Sequence, residues 1–227
     1  MAFKGFGSGA QEYFRELGKN NNKTWFEEHR SEYDTTLREP AESFIVDLGT
    51  LLSRTYPGIH FDTRRNGAGS LMRINRDVRF SPDKRPYKEN LGVIFWLGDG
   101  KKVEMPCFYF HIDAEQCFFF GGQHVFPKET LPRYRAAAAD EKNGRRLSAI
   151  LAGLNGKGLP VFEEPAYKRV PRDYPADHPR AELLRFGGMG VARVLEGSAL
   201  RDARLVASCA EDAMLMKPLL DWLVGVN

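Results

Sequence analysis

The chain has 227 residues and carries 33 Lys and Arg against 30 Asp and Glu, a net charge of +3 that by itself implies no nucleic-acid partner. Apolar residues make up 42%, aromatics 12% and charged residues 28%, which excludes a disordered or low-complexity chain. No run of about eighteen apolar residues occurs, so no membrane-spanning helix and no membrane partner is expected.

The first third reads as helix. Tyr13, Phe14 and Leu17 form a helical stripe within 9–18, and Asn20-Asn21-Asn22 ends it. Thr24-Trp25-Phe26-Glu27 fits a capping box with Thr24 as the cap. Phe26, Tyr33 and Leu37 follow near one face, and Pro40 suits a first helical turn. Phe44, Leu48, Leu51 and Leu52 make the next stripe, which stops at Tyr56-Pro57-Gly58.

The middle reads as strands. A short one covers 59–62. Residues 70–75 alternate Leu71, Arg73 and Asn75 against Met72, Ile74 and Arg76. A strand over 92–97 meets the hairpin signal Asp99-Gly100, with Val103 starting the return arm. Residues 107–112 and 116–120 form a second hairpin around Asp113-Ala114-Glu115. Sequential neighbours of this kind favour an antiparallel meander.

The last third returns to helix over 131–139 and 145–154. A proline-rich loop over 158–179, a short helix over 180–186 and a strand over 189–195 follow. A final helix covers 205–224, bent near Pro218. The expected fold is α+β, a central mostly antiparallel sheet flanked by N-terminal and C-terminal helices. A single domain over 1–227 is expected, helical over 9–56, mainly strands over 59–122 and mainly helical over 127–225.

The charge is not spread evenly. Residues 64–88 hold eight basic and two acidic residues. Arginine offers rigid paired donors that match a phosphate or carboxylate. Arg73, Arg76, Arg79, Lys84, Arg85, Tyr87 and Lys88 are therefore the candidate ligand-binding residues, with Asp77 and Asp83 placed to orient arginines. A second reading stands beside this one: Arg and Asp in such a loop pair internally and fix its shape.

Three blocks carry a family resemblance. They are Asn21-Asn22-Lys23-Thr24-Trp25-Phe26-Glu27-Glu28-His29-Arg30 with Tyr33, then the run from Arg76 to Lys88, then Asp177-His178-Pro179 with Leu183 and Leu184. In these the chain resembles the conserved family called domain of unknown function 2461, over nearly its whole length. The resemblance implies no particular activity; it directs the search for a site to these blocks.

Tyr109, His111 and Asp113 fall on one face of an expected strand. They form either an acid/base row or a hydrogen-bonded network. His111, His29 and Asp113 are the candidate catalytic groups. No HExxH, HxH or CxxC spacing and no phosphate-binding glycine loop occurs, so no metal is expected and no cofactor is named. Cys107, Cys117 and Cys209 form an odd set, and the N-terminal stretch lacks the apolar run of about seven residues that a secretory leader needs. Free thiols in a reducing, cytoplasmic setting are the expectation. Phe118-Phe119-Phe120 reads either as core or as a base-stacking platform.

The leading functional expectation is a binding domain, with or without enzymatic activity, for a small phosphorylated or carboxylated ligand. The alternatives are a structural or protein-interaction module, and a nucleic-acid binder.

Overall fold

The computed structural model describes residues 2–65 and 67–227. Its helical N-terminal part comprises α1 (Ala10–Lys19), α2 (Lys23–Glu28), α3 (Arg30–Tyr33), a π-helical turn (Asp34–Arg38) and α4 (Glu39–Thr55). The strands are β1 (Ile59–His60), β2 (Asn90–Leu97), β3 (Cys107–Asp113), β4 (Cys117–Gln123) and β5 (Met189–Leu195). Helices α5 (Thr130–Ala139) and α6 (Glu141–Asn155) precede β5, and α7 (Leu205–Val224) follows it. The five strands form one antiparallel sheet in the order β1-β2-β3-β4-β5, with helices at both ends of the chain, so the fold is α+β. Spatial order follows chain order, as expected where short reversals join neighbours.

The chain packs as two compact units. The first is Met1–Phe95 with Tyr109–Phe119 and Val194–Glu211; the second is Trp96–Phe108 with Phe120–Arg193 and Asp212–Asn227.

In the first unit, α1 buries Tyr13, Phe14 and Leu17, and α4 buries Phe44, Leu48 and Leu52 at four-residue spacing. The ring of Phe110 on β3 lies 5.6 Å from Phe6 and 4.7 Å from Phe44, and Phe3 packs edge-on to both Phe6 and Phe44. Aromatic pairs of this geometry contribute about 0.5–1.5 kcal/mol each beyond their burial. The glycine-rich lead-in to α1 is accordingly held in place. The amide of Phe6 donates to the Leu200 carbonyl at 2.7 Å, and Gly5 takes φ +106°, where a side chain would be strained.

Three local expectations are corrected here. The cap of α2 is Asn22, whose side chain accepts from the Trp25 amide at 3.0 Å, while Thr24 lies inside the helix. Asn is as good a cap as Thr, and the backbone of Asn22 is already extended. The helix after it does not run straight to Leu37; it breaks at His29 and widens into the π turn at Asp34–Arg38. Residues 70–75 make no continuous strand. They pair at two points, Leu71 with Val93 and Asn75 with Tyr87. Pro86, which has no amide to donate, lies in the facing segment.

In the second unit, Phe126 stacks on Tyr134 at 4.2 Å and Trp222 meets Tyr134 edge-on. Arg193 on β5 grips Asp212 on α7 with a fork of bonds of 2.7–3.0 Å. Arg180 donates to the carbonyls of Ala138 and Ala139 and so ties down the junction of α5 and α6. Two further corrections fall here. Val103 lies in a 3-10 turn (Lys102–Glu104) and the return strand begins only at Cys107; the short helix expected over 180–186 is a 3-10 turn (Leu183–Arg185). α7 continues through Pro218.

Cys107, Cys117 and Cys209 are free and buried. Burial pushes the thiols of Cys107 and Cys117 up to about 12 and about 11, which keeps them protonated and unreactive at neutral pH. Phe118, Phe119 and Phe120 are core residues. No helix among the described residues is long and apolar enough to cross a membrane.

Candidate functional site

Most of the basic run spends its charge on itself. Asp62-Thr63-Arg64, Asp77-Val78-Arg79, Asp83-Lys84-Arg85 and Asp202-Ala203-Arg204 share one local structure. In each, the Arg amide donates to one carboxylate oxygen of the Asp two residues before it, at 2.8–3.2 Å, and the guanidinium Nε and Nη2 return to the same carboxylate. This is an Asx turn closed by a fork, and it forms because both partners sit within one turn of chain. Arg76 also donates to Asp83 at 2.7 Å and to the Arg85 carbonyl, and Lys84 donates to the Val78 carbonyl at 3.0 Å. These bonds lower the carboxyl of Asp77 and hold that of Asp83 well below the usual carboxylate range, with Arg79 and Arg85 as the respective main causes.

Arg73 is different. Among the described residues it makes no hydrogen bond and no ion pair, and its stem passes where a side chain on Gly67 would touch it. It lines a cleft of about 220 Å³ in the first unit. One wall comes from the 63–65 and 71–75 segments and the other from Phe26, Arg30, Tyr33 and Arg38 of the α2 to π-turn stretch. Asn75 lines it too.

The register is set from far away. The side-chain amide of Asn21 donates to the Tyr87 carbonyl at 3.0 Å and accepts from the Tyr87 amide at 3.1 Å, imitating a strand partner. The Tyr87 ring stacks on Phe26 at 4.1 Å, and the Tyr87 backbone pairs with Asn75. A residue between α1 and α2 thus fixes where residues 73–75 lie.

Five arginines line the cleft: Arg30, Arg38, Arg64, Arg65 and Arg73. Arg30 forks to Glu27, Arg64 to Asp62 and Arg65 to Glu42, each through Nε and Nη2. A guanidinium has five donors, so each fork orients the group and leaves donors over. Arg38 pairs with Asp34 at 2.8 Å across the π turn. Its Nε is buried without a partner, as is Oδ1 of Asp34. Buried polar atoms are nearly always satisfied, so an orphaned donor and acceptor on one turn mark a place built for something else. A π turn is itself a rare irregularity, frequent at functional sites. Burial pushes the phenol of Tyr33 up to about 12, so it faces the cleft as a neutral group.

Of the seven residues expected to bind ligand, then, only Arg73 lines this cleft. Arg76, Arg79, Lys84 and Arg85 are bonded within their loop, and Tyr87 is buried against Phe26. Lys88 is half-buried; burial, and then the charge of Arg73, pulls its pKa down. Phe80, at the tip of the loop, is 92% exposed with Arg79 5.8 Å from its ring centre.

The histidine candidates lie apart from the cleft. His111 stacks on Phe118, and both of its ring nitrogens are engaged: Nδ1 lies 3.2 Å from the Tyr109 hydroxyl and Nε2 lies 2.9 Å from Asp113. Burial raises the Asp113 carboxyl, but bonds from His111 and the Gln116 and Glu115 amides outweigh it and leave it below its ordinary value. The row is hydrogen-bonded end to end, with no ring nitrogen left over for a substrate. His29 stacks on Trp25 and bonds its carbonyl. In the second unit, His124 pairs with Glu163 at 2.7 Å and His178 accepts from the Arg180 amide, both as loop anchors. Among the described residues no group of three or more His, Cys, Asp or Glu is placed to hold a metal ion.

Sequence reasoning missed Arg38, Arg64, Arg65 and Asp34; Asn21 and Arg30 lie in the first of the three resemblance blocks, with no role read for either. The Asp-x-Arg spacing was the available signal for which arginines are tied up; nothing local signals that Arg38 and Arg73 line one cleft.

Residues 10–222 match the model of the conserved hypothetical protein family DUF2461, and the chain belongs to that family. No curated protein and no solved structure matches the chain.

Proposed function

We propose that this DUF2461 protein is a binding domain for a small phosphorylated or carboxylated ligand, held in the arginine cleft of its first unit. One observation carries the reading: an unpaired guanidinium at Arg73 shares a cleft with Arg38, whose Nε is buried without a partner. Arg30, Arg64 and Arg65 supply further donors, each already oriented by a carboxylate, and Asn75 adds an amide. The volume of about 220 Å³ lies below the roughly 300–1,000 Å³ of drug-sized sites, which suits a compact oxyanion or the anionic end of a larger molecule.

A second reading applies to the loop from Arg76 to Glu89. Its internal bonding favours a scaffold role, in which the arginines shape the loop and present Phe80.

The test is a thermal-shift and calorimetric screen of the purified chain with phosphate, sugar phosphates, nucleotides and dicarboxylates, at low and moderate salt. Arg73→Gln and Arg79→Ala variants run in parallel. The expected result is a salt-tolerant stabilisation by one anion class, lost in Arg73→Gln and kept in Arg79→Ala. A ligand at a hundredfold its Kd stabilises by about 2.7 kcal/mol, which such a screen reads easily. No shift by any anion overturns the cleft reading. A shift by short DNA or RNA alone, lost in moderate salt, replaces it with nucleic-acid binding.

A further inference from the structure

The same helices carry a second stripe of opposite character. Residues 26, 30 and 33 face the arginine cleft; residues 25, 29 and 32, one position earlier, line another cleft of about 170 Å³ with Glu12, Tyr13 and Glu16. Its lining holds three carboxylates, and neither Lys nor Arg. The rings of Trp25 and His29 stack at 4.0 Å with 12° between their planes, and the Tyr13 ring leans on Trp25 at 5.5 Å.

Three of the polar groups here, on Glu32, His29 and Tyr13, have an acceptor position with no donor. Glu12 pairs with Arg15 and Glu16 with Lys19 on the exposed side of α1. Glu32 has no hydrogen bond or ion pair of its side chain among the described residues. Nδ1 of His29 lies 2.8 Å from the Trp25 carbonyl, which only accepts, so Nδ1 is the donor and Nε2 is the ring nitrogen turned to the cleft side without a bond among the described residues. Tyr13 is 2% exposed, yet its hydroxyl has no partner. Burial raises its pKa, and the charges of Tyr33 and Glu32 add to that rise. An unsatisfied buried hydroxyl, an unpaired carboxylate and stacked aromatic faces around one small cavity point to a cation. These acidic groups are not placed to hold a metal ion. An organic cation, with its charge spread over methylene or methyl groups, can instead lie against ring faces.

We infer that this cleft binds an alkylammonium group. The rings of Trp25 and Tyr13 receive its carbon-bound surface, and Glu32 supplies the nearest uncompensated negative charge. A primary ammonium has three donors, and the carboxylate of Glu32, Nε2 of His29 and the hydroxyl oxygen of Tyr13 are three acceptors without one. Such a group can come from a free amine or from a lysine side chain of another protein.

The experiment uses the full chain labelled with nitrogen-15, following the indole N–H of Trp25, assigned by its loss in Trp25→Phe. The probes are n-butylammonium, tetramethylammonium and, as the uncharged control, n-butanol. The expected result is a saturable shift of the Trp25 signal by the cations, with Kd on the order of millimolar, and none by butanol. Glu32→Gln is expected to weaken binding about tenfold. It leaves the melting temperature unchanged, because the side chain is exposed and unpaired. Glu12→Gln serves as a second variant, with a smaller loss. No saturable shift up to about 100 mM overturns the inference, as does an equal response to butanol or undiminished binding in Glu32→Gln. Acetyl-lysine methylamide and a lysine-containing peptide separate the sources: tighter binding of the peptide than of butylammonium marks a protein side chain, and no gain marks a free amine.

Discussion

Arg73 and Arg79 stand in one basic run and meet opposite fates. Arg79 folds back on Asp77 two residues earlier, and Arg85 does the same on Asp83, which also takes Arg76. Arg73 has Leu71 at that position and makes no hydrogen bond or ion pair among the described residues. Its neighbours in space are instead Arg30 and Arg38, both from the helical N-terminal part. The comparison teaches that density of charge along a chain is a poor guide to a binding surface. An arginine with a carboxylate two residues before it, in a turn, is mostly consumed by that carboxylate. Arg73, with no such carboxylate and no other partner among the described residues, keeps its whole guanidinium for a ligand.

The largest expected effect lies at the base of the cleft. Asp34→Ala leaves Arg38 partly buried without its counter-charge. Loss of about 2 kcal/mol is expected, below the 3–5 kcal/mol of a fully buried pair because both side chains are a fifth to a quarter exposed. Denaturant unfolding checks this, and an unchanged midpoint means the pair is solvated and the cleft lacks the base assigned to it. Next is Arg73→Gln, expected to reduce affinity for the anion that stabilises the wild type by about tenfold or more. Its stability should stay within about 0.5 kcal/mol of wild type.

Asp83→Ala sharpens the contrast from the other side. It removes the carboxylate shared by Arg76 and Arg85, leaving Arg85 only Glu89 and Arg76 only the Arg85 carbonyl, so amide exchange should quicken from residue 76 to 88 with little change in melting temperature. Unchanged exchange across that loop would mean its shape comes from the backbone bonds of Arg76 to Pro86 and Lys88 to Ile74 and not from Asp83. Acid should do the same reversibly. Asp77 and Asp83 have depressed pKa values in the folded chain, so their bracing is fully present above the ordinary carboxylate pKa of about 4. It is lost only as pH falls through their lowered values. Loop protection should therefore hold from pH 7 down to about 4 and decline below it; a decline already at pH 5–6 would contradict the pairing. The smallest effect is Arg79→Ala, expected to leave the anion response of the cleft at its wild-type value in the same calorimetric titration.

A good part of the fold was legible. The helical stripes of α1 and α4, the strands over 92–97, 107–112 and 189–195, and the sequential sheet order follow from periodicity and short reversals. The misreadings were local competitions of nearly equal strength: Asn22 against Thr24 as a cap, and two bridges against a strand over 70–75. For the candidate site, Arg73 was legible as a cation of the basic run, while its strand placement and its neighbours in the cleft were not. The π turn that orphans Arg38 and Asp34 leaves no mark on hydrophobic spacing.

The sequence by itself determined the α+β class and, through its four Asp-x-Arg triplets, which arginines would close on themselves. Those pairs lie within one turn of chain, where little loop-closure entropy opposes them and residue spacing alone decides the outcome. Tertiary structure decided the rest. Asn21 clamps Tyr87 from 66 positions away, and Arg65 reaches Glu42 from 23. Such contacts exist only once packed helices and strands hold their ends together, because the energy that closes them comes from the core and not from the residues that meet.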